Sequence, residues 1–141
     1  MAYTVLVVDD SSSIRAIIKK IIRVSGFDVG TFLEASDGNE ALTIMETSRV
    51  DLVLTDINMP NMNGLDLIAR IKENSALASI PVVVVSTEGS EKKMVEAMSL
   101  GAVGYVKKPF VPEEIKQTLN TILEVGSGDA GFDDDDEDVD F

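Results

Sequence analysis

Residues 3 to 10 read Tyr3-Thr4-Val5-Leu6-Val7-Val8-Asp9-Asp10, a β-branched-rich run without polar alternation that ends abruptly in two carboxylates. A strand with no polar face must be covered on both sides, which is the environment of a parallel sheet. The same kind of run recurs at Leu52 to Thr55 and Pro81 to Val85, with a weaker one at Val29 to Ala35 and a short one at Gly104 to Val106. Segments of helical period separate them. In the first, Ile14, Ile17, Ile18, Ile21 and Ile22 are spaced for one inward face, and Gly26 supplies a stop. Asp37 and Glu40 form a capping box ahead of Ala41, Ile44 and Met45, while Gly64 opens a helix facing inward through Leu65, Ile68 and Ile71. Ser90 is placed to cap a fourth helix that carries Met94, Ala97 and Met98 inward and stops at Gly101. Pro112 with Glu113 and Glu114 starts a fifth, bearing Ile115, Leu119 and Ile122. Five strands alternating with five helices predict a doubly wound α/β sheet, because right-handed crossovers are the rule and five units are too few to close an eight-fold barrel.

Composition narrows the chemistry. The 141 residues include 12 Lys and Arg against 25 Asp and Glu, with no histidine, cysteine or tryptophan. Without cysteine there are no disulfides, thiolate metal sites or thiol nucleophiles, and without histidine the commonest general base and any Ser-His-Asp arrangement are excluded. The negative charge is uneven, since residues 127 to 141 hold eight acids and no cation. The pattern divides the chain into a domain at residues 1–125 and an acidic tail at residues 126–141. Gly126-Ser127-Gly128 reads as a linker, and the six consecutive acids from Asp133 to Asp138 have nothing to bury, so the tail is expected to be disordered. No basic stripe suggests nucleic-acid binding, and no apolar run is long enough for a membrane span. A soluble, cytoplasmic monomer is expected.

In an open α/β sheet, ligands bind at the carboxyl ends of the strands. The residues that follow the runs are Asp9-Asp10, Thr55-Asp56, Ser86-Thr87 and Lys107-Lys108-Pro109, so three carboxylates, hydroxyls and a lysine converge on one edge. Clustered carboxylates repel, and a hard cation such as Mg2+ relieves this with oxygen ligands alone. A carboxylate beside Mg2+, an ammonium group and a hydroxyl donor suits phosphoryl transfer, with the carboxylate itself as nucleophile. Asp56 is the better candidate, because Asp9 and Asp10 are adjacent and placed to share the cation. The backbone carbonyl of Asn58 is available to complete the metal shell, and Ser86 is placed to donate to a phosphoryl oxygen.

Four segments, Val7-Val8-Asp9-Asp10, Asp56-Ile57-Asn58-Met59-Pro60-Asn61-Met62-Asn63-Gly64, Val85-Ser86-Thr87 and Gly104-Tyr105-Val106-Lys107-Lys108-Pro109-Phe110, resemble those of a CheY-type response regulator receiver domain. The resemblance spans about residues 3 to 124 and implies a flavodoxin-like (β/α)5 fold with strand order 2-1-3-4-5. It implies that Asp56 is the phosphoacceptor, that Asp10, Asp56 and the Asn58 carbonyl hold Mg2+, and that Asp9 acts through metal-bound water. Lys108 would pair with the phosphoryl group, Ser86 would be the switch hydroxyl, and Tyr105 the aromatic that turns inward behind it. Asn58 and Glu88 occupy the positions that tune phosphate lifetime, and the bond before Pro109 is expected to be cis. Thr87 stands where the family usually has a smaller residue, which predicts narrower access. Asn63 replaces a common Asp and is expected to be structural. The stretch from Phe27 to Ala35 looks longer than usual for a second strand, leaving its register open.

The resemblance further implies a phosphoacceptor signalling protein rather than an enzyme, with a sensor histidine kinase as donor. A flagellar motor switch protein and a phosphatase are expected among its partners. No output domain is recognised, so output is expected through contacts of the face made by the fourth helix, fifth strand and fifth helix. A phosphate sink or relay is the alternative within the same fold. A phosphatase is disfavoured because Asn58 stands where such enzymes place a general acid, and flavin binding is disfavoured by the acidic first loop. Phe132 and Asp138-Val139-Asp140-Phe141 place apolar residues among acids, a pattern suited to docking in a basic-rimmed apolar pocket on a partner.

Overall fold

The computed structural model describes residues 2–86, 91–107 and 112–127, with side chains described as far as residue 123. Its elements are β1 (Tyr3–Val8), α1 (Ser12–Ser25), β2 (Val29–Ala35), α2 (Gly38–Thr47), β3 (Leu52–Thr55), α3 (Gly64–Glu73), β4 (Val82–Ser86), α4 (Glu91–Leu100), β5 (Gly104–Lys107) and α5 (Pro112–Ser127). All strand pairs are parallel and the order is β2-β1-β3-β4-β5, as expected. Helix α5 continues through Gly126 and Ser127, the first two residues of the stretch read as a linker. The remaining tail and the expected cap Ser90 lie outside the described residues.

Two apolar layers sandwich the sheet. On one side, Leu6, Val8, Val53, Val82 and Val84 meet Ala41 and Met45 of α2 and Leu67, Ile68 and Ile71 of α3, together with Ala97 of α4. On the other, Val5, Val7, Leu52, Leu54, Val83 and Val85 meet Ile18 and Ile22 of α1 and Ile115 and Leu119 of α5. Alternate residues of each central strand thus point into opposite layers, which explains why these strands carry no polar face.

The unusual length of β2 has a local cause. Tyr3 pairs with Val29 but Thr4 pairs with Thr31, so Gly30 is an extra residue taken up as a bulge, after which the register runs cleanly to Val8 and Ala35. Helix α1 is capped by Ser11, whose side chain accepts from the Ile14 N–H, and it ends on Gly26 in the left-handed conformation at φ 84°.

Two inward assignments are corrected. Ile17 is 52% exposed and Met98 is 43% exposed. At 100° per residue, Ile17 lies about 120° from the direction midway between Ile18 and Ile22, beyond the arc that contacts the sheet. Met98 lies about 100° from Ala97, the only residue of α4 classed as buried. We expect Ile22→Ala to cost about 2–5 kcal/mol in urea unfolding and Ile17→Ala to stay within about 0.5 kcal/mol. Equal losses would contradict this orientation of α1.

Candidate functional site

The parallel pairing of β1 with β3 on one side and β2 on the other continues past the last strand residues and sets the spacing of the acids. The Asp56 N–H donates to the Val8 carbonyl at 3.0 Å, and the Asp9 N–H donates to the Ala35 carbonyl at 3.1 Å. Asp9, Asp10 and Asp56 therefore gather at one edge, each offering one carboxylate oxygen within 4.8 Å of the others. Their surroundings differ. Asp9 is 2% exposed, Asp56 half-buried and Asp10 exposed. One Asp9 oxygen accepts the Ser11 N–H at 2.9 Å, and Asp56 Oδ1 accepts the Ile57 N–H at 2.7 Å. Those bonds fix the two side chains while leaving Asp56 Oδ2 as the oxygen not engaged by them.

Three oxygen donors with no nitrogen or sulfur among them fit a hard divalent cation, and such a cation would offset the mutual repulsion of the carboxylates. Asn58 follows on an exposed loop two residues after Asp56. Several contacts shape that loop. Asn61 adopts φ 67° and its side-chain amide donates to Asp37 at 2.8 Å, while the Gly38 N–H donates to the Met62 carbonyl at 3.2 Å. Asn63 caps α3 by accepting the Asp66 N–H at 2.9 Å, consistent with its expected structural role. The Gly64 N–H donates to the Ile57 carbonyl at 2.8 Å. A Cβ at Gly64 would come within 2.1 Å of the Asp56 carbonyl oxygen, so only glycine allows α3 to start this close to the strand end.

Ser86 ends β4 at 1% exposure, two residues beyond the last β3–β4 pair, Thr55 with Val84. Tyr105 is half-buried, pairs with Val84 across β4 and β5, and packs against the layer that includes Ala97 and Ala102. It also lines an open groove of about 380 Å³ with Met94, Lys107, Glu114 and Thr118, between α4, β5 and α5. Lys107 is exposed, as expected for a solvated lysine. Thr87, Glu88, Lys108 and Pro109 lie outside the described residues.

Sequence reasoning missed two supports of the site. Arg15 is only 15% exposed at its side chain; its Nη1 donates to the Asp9 carbonyl at 2.5 Å and its Nε to Glu34 of β2 at 2.8 Å. Nothing in the sequence separated this arginine from an ordinary solvated cation on α1. The second support is the approach of Gly64 to Asp56, which a glycine at a helix start does not by itself announce.

Glu34 also accepts from Lys19 at 2.7 Å. The hydrogen bonds from Lys19 and then Arg15 hold its carboxyl below the usual 4.5. Asp37 is likewise held below its usual 3.8, first by the Glu40 N–H and then by the Asn61 amide. A carboxylate lowered in the folded state contributes stability that is complete above its unfolded value and is lost as pH falls through the lowered one. Glu34→Gln is therefore expected to flatten part of the acid-induced fall in stability, with Asp37 retaining its share. Urea midpoints measured stepwise from neutral pH into acid check this. An unchanged acid limb would show that the cluster contributes nothing, as exposed pairs often do.

No helix among the described residues is long and apolar enough to cross a membrane. The family model of the response regulator receiver domain matches residues 5–120. A chemotaxis protein CheY homolog of Campylobacter jejuni is 38% identical over 126 residues, which cover 89% of this chain and 95% of its own. The structure of chemotaxis protein CheY4 of Vibrio cholerae matches with a TM-score of 0.75 at 36% identity, over 87% of this chain and 100% of its own. The Mn2+-bound form of response regulator Rcp1 matches with a TM-score of 0.70 at 25% identity, over 87% of this chain and 93% of its own. Since the match reaches from β1 into α5 and takes in the whole acidic edge, the chain belongs to the response regulator receiver domain family.

Proposed function

We propose that this protein is a phosphoryl-controlled switch of a chemotaxis pathway, in which Asp56 accepts a phosphoryl group from a sensor histidine kinase. The observation that carries this reading is the gathering of Asp9, Asp10 and Asp56 within 4.8 Å at one sheet edge. In the transfer, Asp56 Oδ2 attacks phosphorus, the P–N bond to the donor imidazole breaks as the P–O bond forms, and the leaving nitrogen retains the electron pair and takes up a proton. The product is an acyl phosphate on Asp56.

When bound, Mg2+ would supply charge neutralisation at the phosphoryl oxygens. Asp10, Asp56 and the Asn58 carbonyl are its proposed ligands, with Asp9 acting through a water. The Ile57 N–H keeps the Asp56 carboxylate oriented, and Gly64 leaves its carbonyl undisturbed. Lys108 supplies a second positive charge in this reading, and Asn58 and Glu88 set the rate at which water reaches the acyl phosphate. The protein is a phosphoacceptor, not an enzyme with a separate substrate.

Ser86 and Tyr105 connect the reaction to the surface. Ser86 lies at the site edge of β4, and Tyr105 sits on the neighbouring strand beside Met94 and Lys107. A shift of Ser86 toward the phosphoryl group makes room for Tyr105 to turn inward, and the groove between α4, β5 and α5 changes shape. A partner that prefers the new shape favours phosphorylation reciprocally. A flagellar motor switch protein is the proposed target, consistent with the chemotaxis names of the relatives.

Intact-mass spectrometry after incubation with a small phosphodonor tests this. We expect one phosphoryl adduct with Mg2+, none after chelation, and none in Asp56→Asn. A folded wild-type protein without an adduct in the presence of donor and Mg2+ would overturn the proposal.

A further inference from the structure

Helix α1 differs in charge from the rest of the chain. Its 14 residues, Ser12–Ser25, include Arg15, Lys19, Lys20 and Arg23 and no acid, in a chain of formal net charge −13. Glu34 engages Arg15 and Lys19. Lys20 and Arg23 are exposed, Arg23 lying toward β2 with its guanidinium 4.9 Å from the Phe32 ring centroid. Lys20 shares its side of the helix with Ile17 at 52% and Val24 at 66% exposure. At 100° per residue, Ile17, Lys20 and Val24 fall within about 60° of one another, so apolar and cationic groups form one outward stripe. Next to it, an open groove of about 480 Å³ runs between α1 and α5 and is lined by Val24, Pro112 and Lys116, with Glu113 as its acid.

The chain also contains a segment of complementary composition. Residues 128–141 carry eight acids, no cation, and the apolar residues Phe132, Val139 and Phe141. They follow α5, the helix that shares the groove with α1. Ser127 lies roughly 17 Å along the helix from Lys116 at 1.5 Å per residue. We propose that residues 128–141 dock in cis on the outer face of α1, with acids against Lys20 and Lys116 and apolar side chains against Ile17 and Val24.

Tethering makes weak contacts sufficient. A segment of this length holds its far end within roughly 20 Å of its root, equivalent to a local concentration of about millimolar. A contact with a dissociation constant near that value is therefore made about half the time. The groove between α4, β5 and α5 is a poorer match. Each groove has one lysine and one glutamate in its lining, so the difference lies in the helices: Lys92 and Lys93 of α4 share theirs with Glu91 and Glu96, whereas α1 has no acid.

The absence of cysteine allows a single nitroxide label to be placed by Val139→Cys in the full chain. Paramagnetic broadening of backbone amides is then read with the label on the same molecule. We expect broadening centred on Ile17, Lys20 and Val24. It should fall several-fold as NaCl is raised from ~0.1 M to ~1 M. It should also fall several-fold in Lys20→Glu combined with Lys116→Glu, whose unchanged amide spectrum elsewhere reports the fold. Uniform broadening, broadening centred on the α4–β5–α5 groove, or insensitivity to the charge reversals would overturn the proposal. So would equal broadening when label and observed amides are on different molecules, which would assign the contact to a second copy.

Discussion

Three carboxylates stay within 4.8 Å of one another only if the backbone beneath them resists their repulsion. Two unit charges 4 Å apart repel by about 4 kcal/mol at a dielectric constant of about 20. The opposing contribution comes from the β1–β3 pairing. Val5 to Val8 and Leu52 to Thr55 are each 1% exposed or less, and every buried Val or Leu contributes about 1.5–3 kcal/mol. A packed pair of strands therefore outweighs the electrostatic cost at its tip. The site is a charged edge on an apolar base, which is why the residues carrying the charge directly follow the residues that provide the stability.

Arg15 ties this edge to the rest of the sheet. It joins the carbonyl beside two of the acids to Glu34 on β2, so the loop bearing Asp9 and Asp10 is held from α1 and from the outermost strand together. Gly64 plays the complementary part at Asp56 by excluding a side chain. One support acts through a cation and the other through the lack of a Cβ.

Most of the architecture was legible because the central strands lie between two helical layers and show it as unbroken apolar runs. The three acids were legible because strand ends are where this topology places chemistry. Helical faces were less so. Five isoleucines in α1 cover a wider arc than the sheet can contact, and the sequence does not mark Ile17 as the residue beyond its limit. Gly30 lengthened β2 without showing that one residue was a bulge. Arg15 looked like any cation on a basic helix, because its value depends on a carbonyl and a carboxylate brought near by tertiary packing.

Helix α4 is the least embedded of the helices flanking the site. Ala97 is its only residue classed as buried, while Val95 is 60% and Met98 43% exposed. Moving a helix held by a methyl group and a few half-covered side chains forfeits little apolar burial, so its displacement lies at the low end of the domain's local opening free energies. The helix next to Tyr105 is therefore the loosely fastened panel of an otherwise rigid frame. In the proposed switch, such a displacement would leave the burial of the core intact.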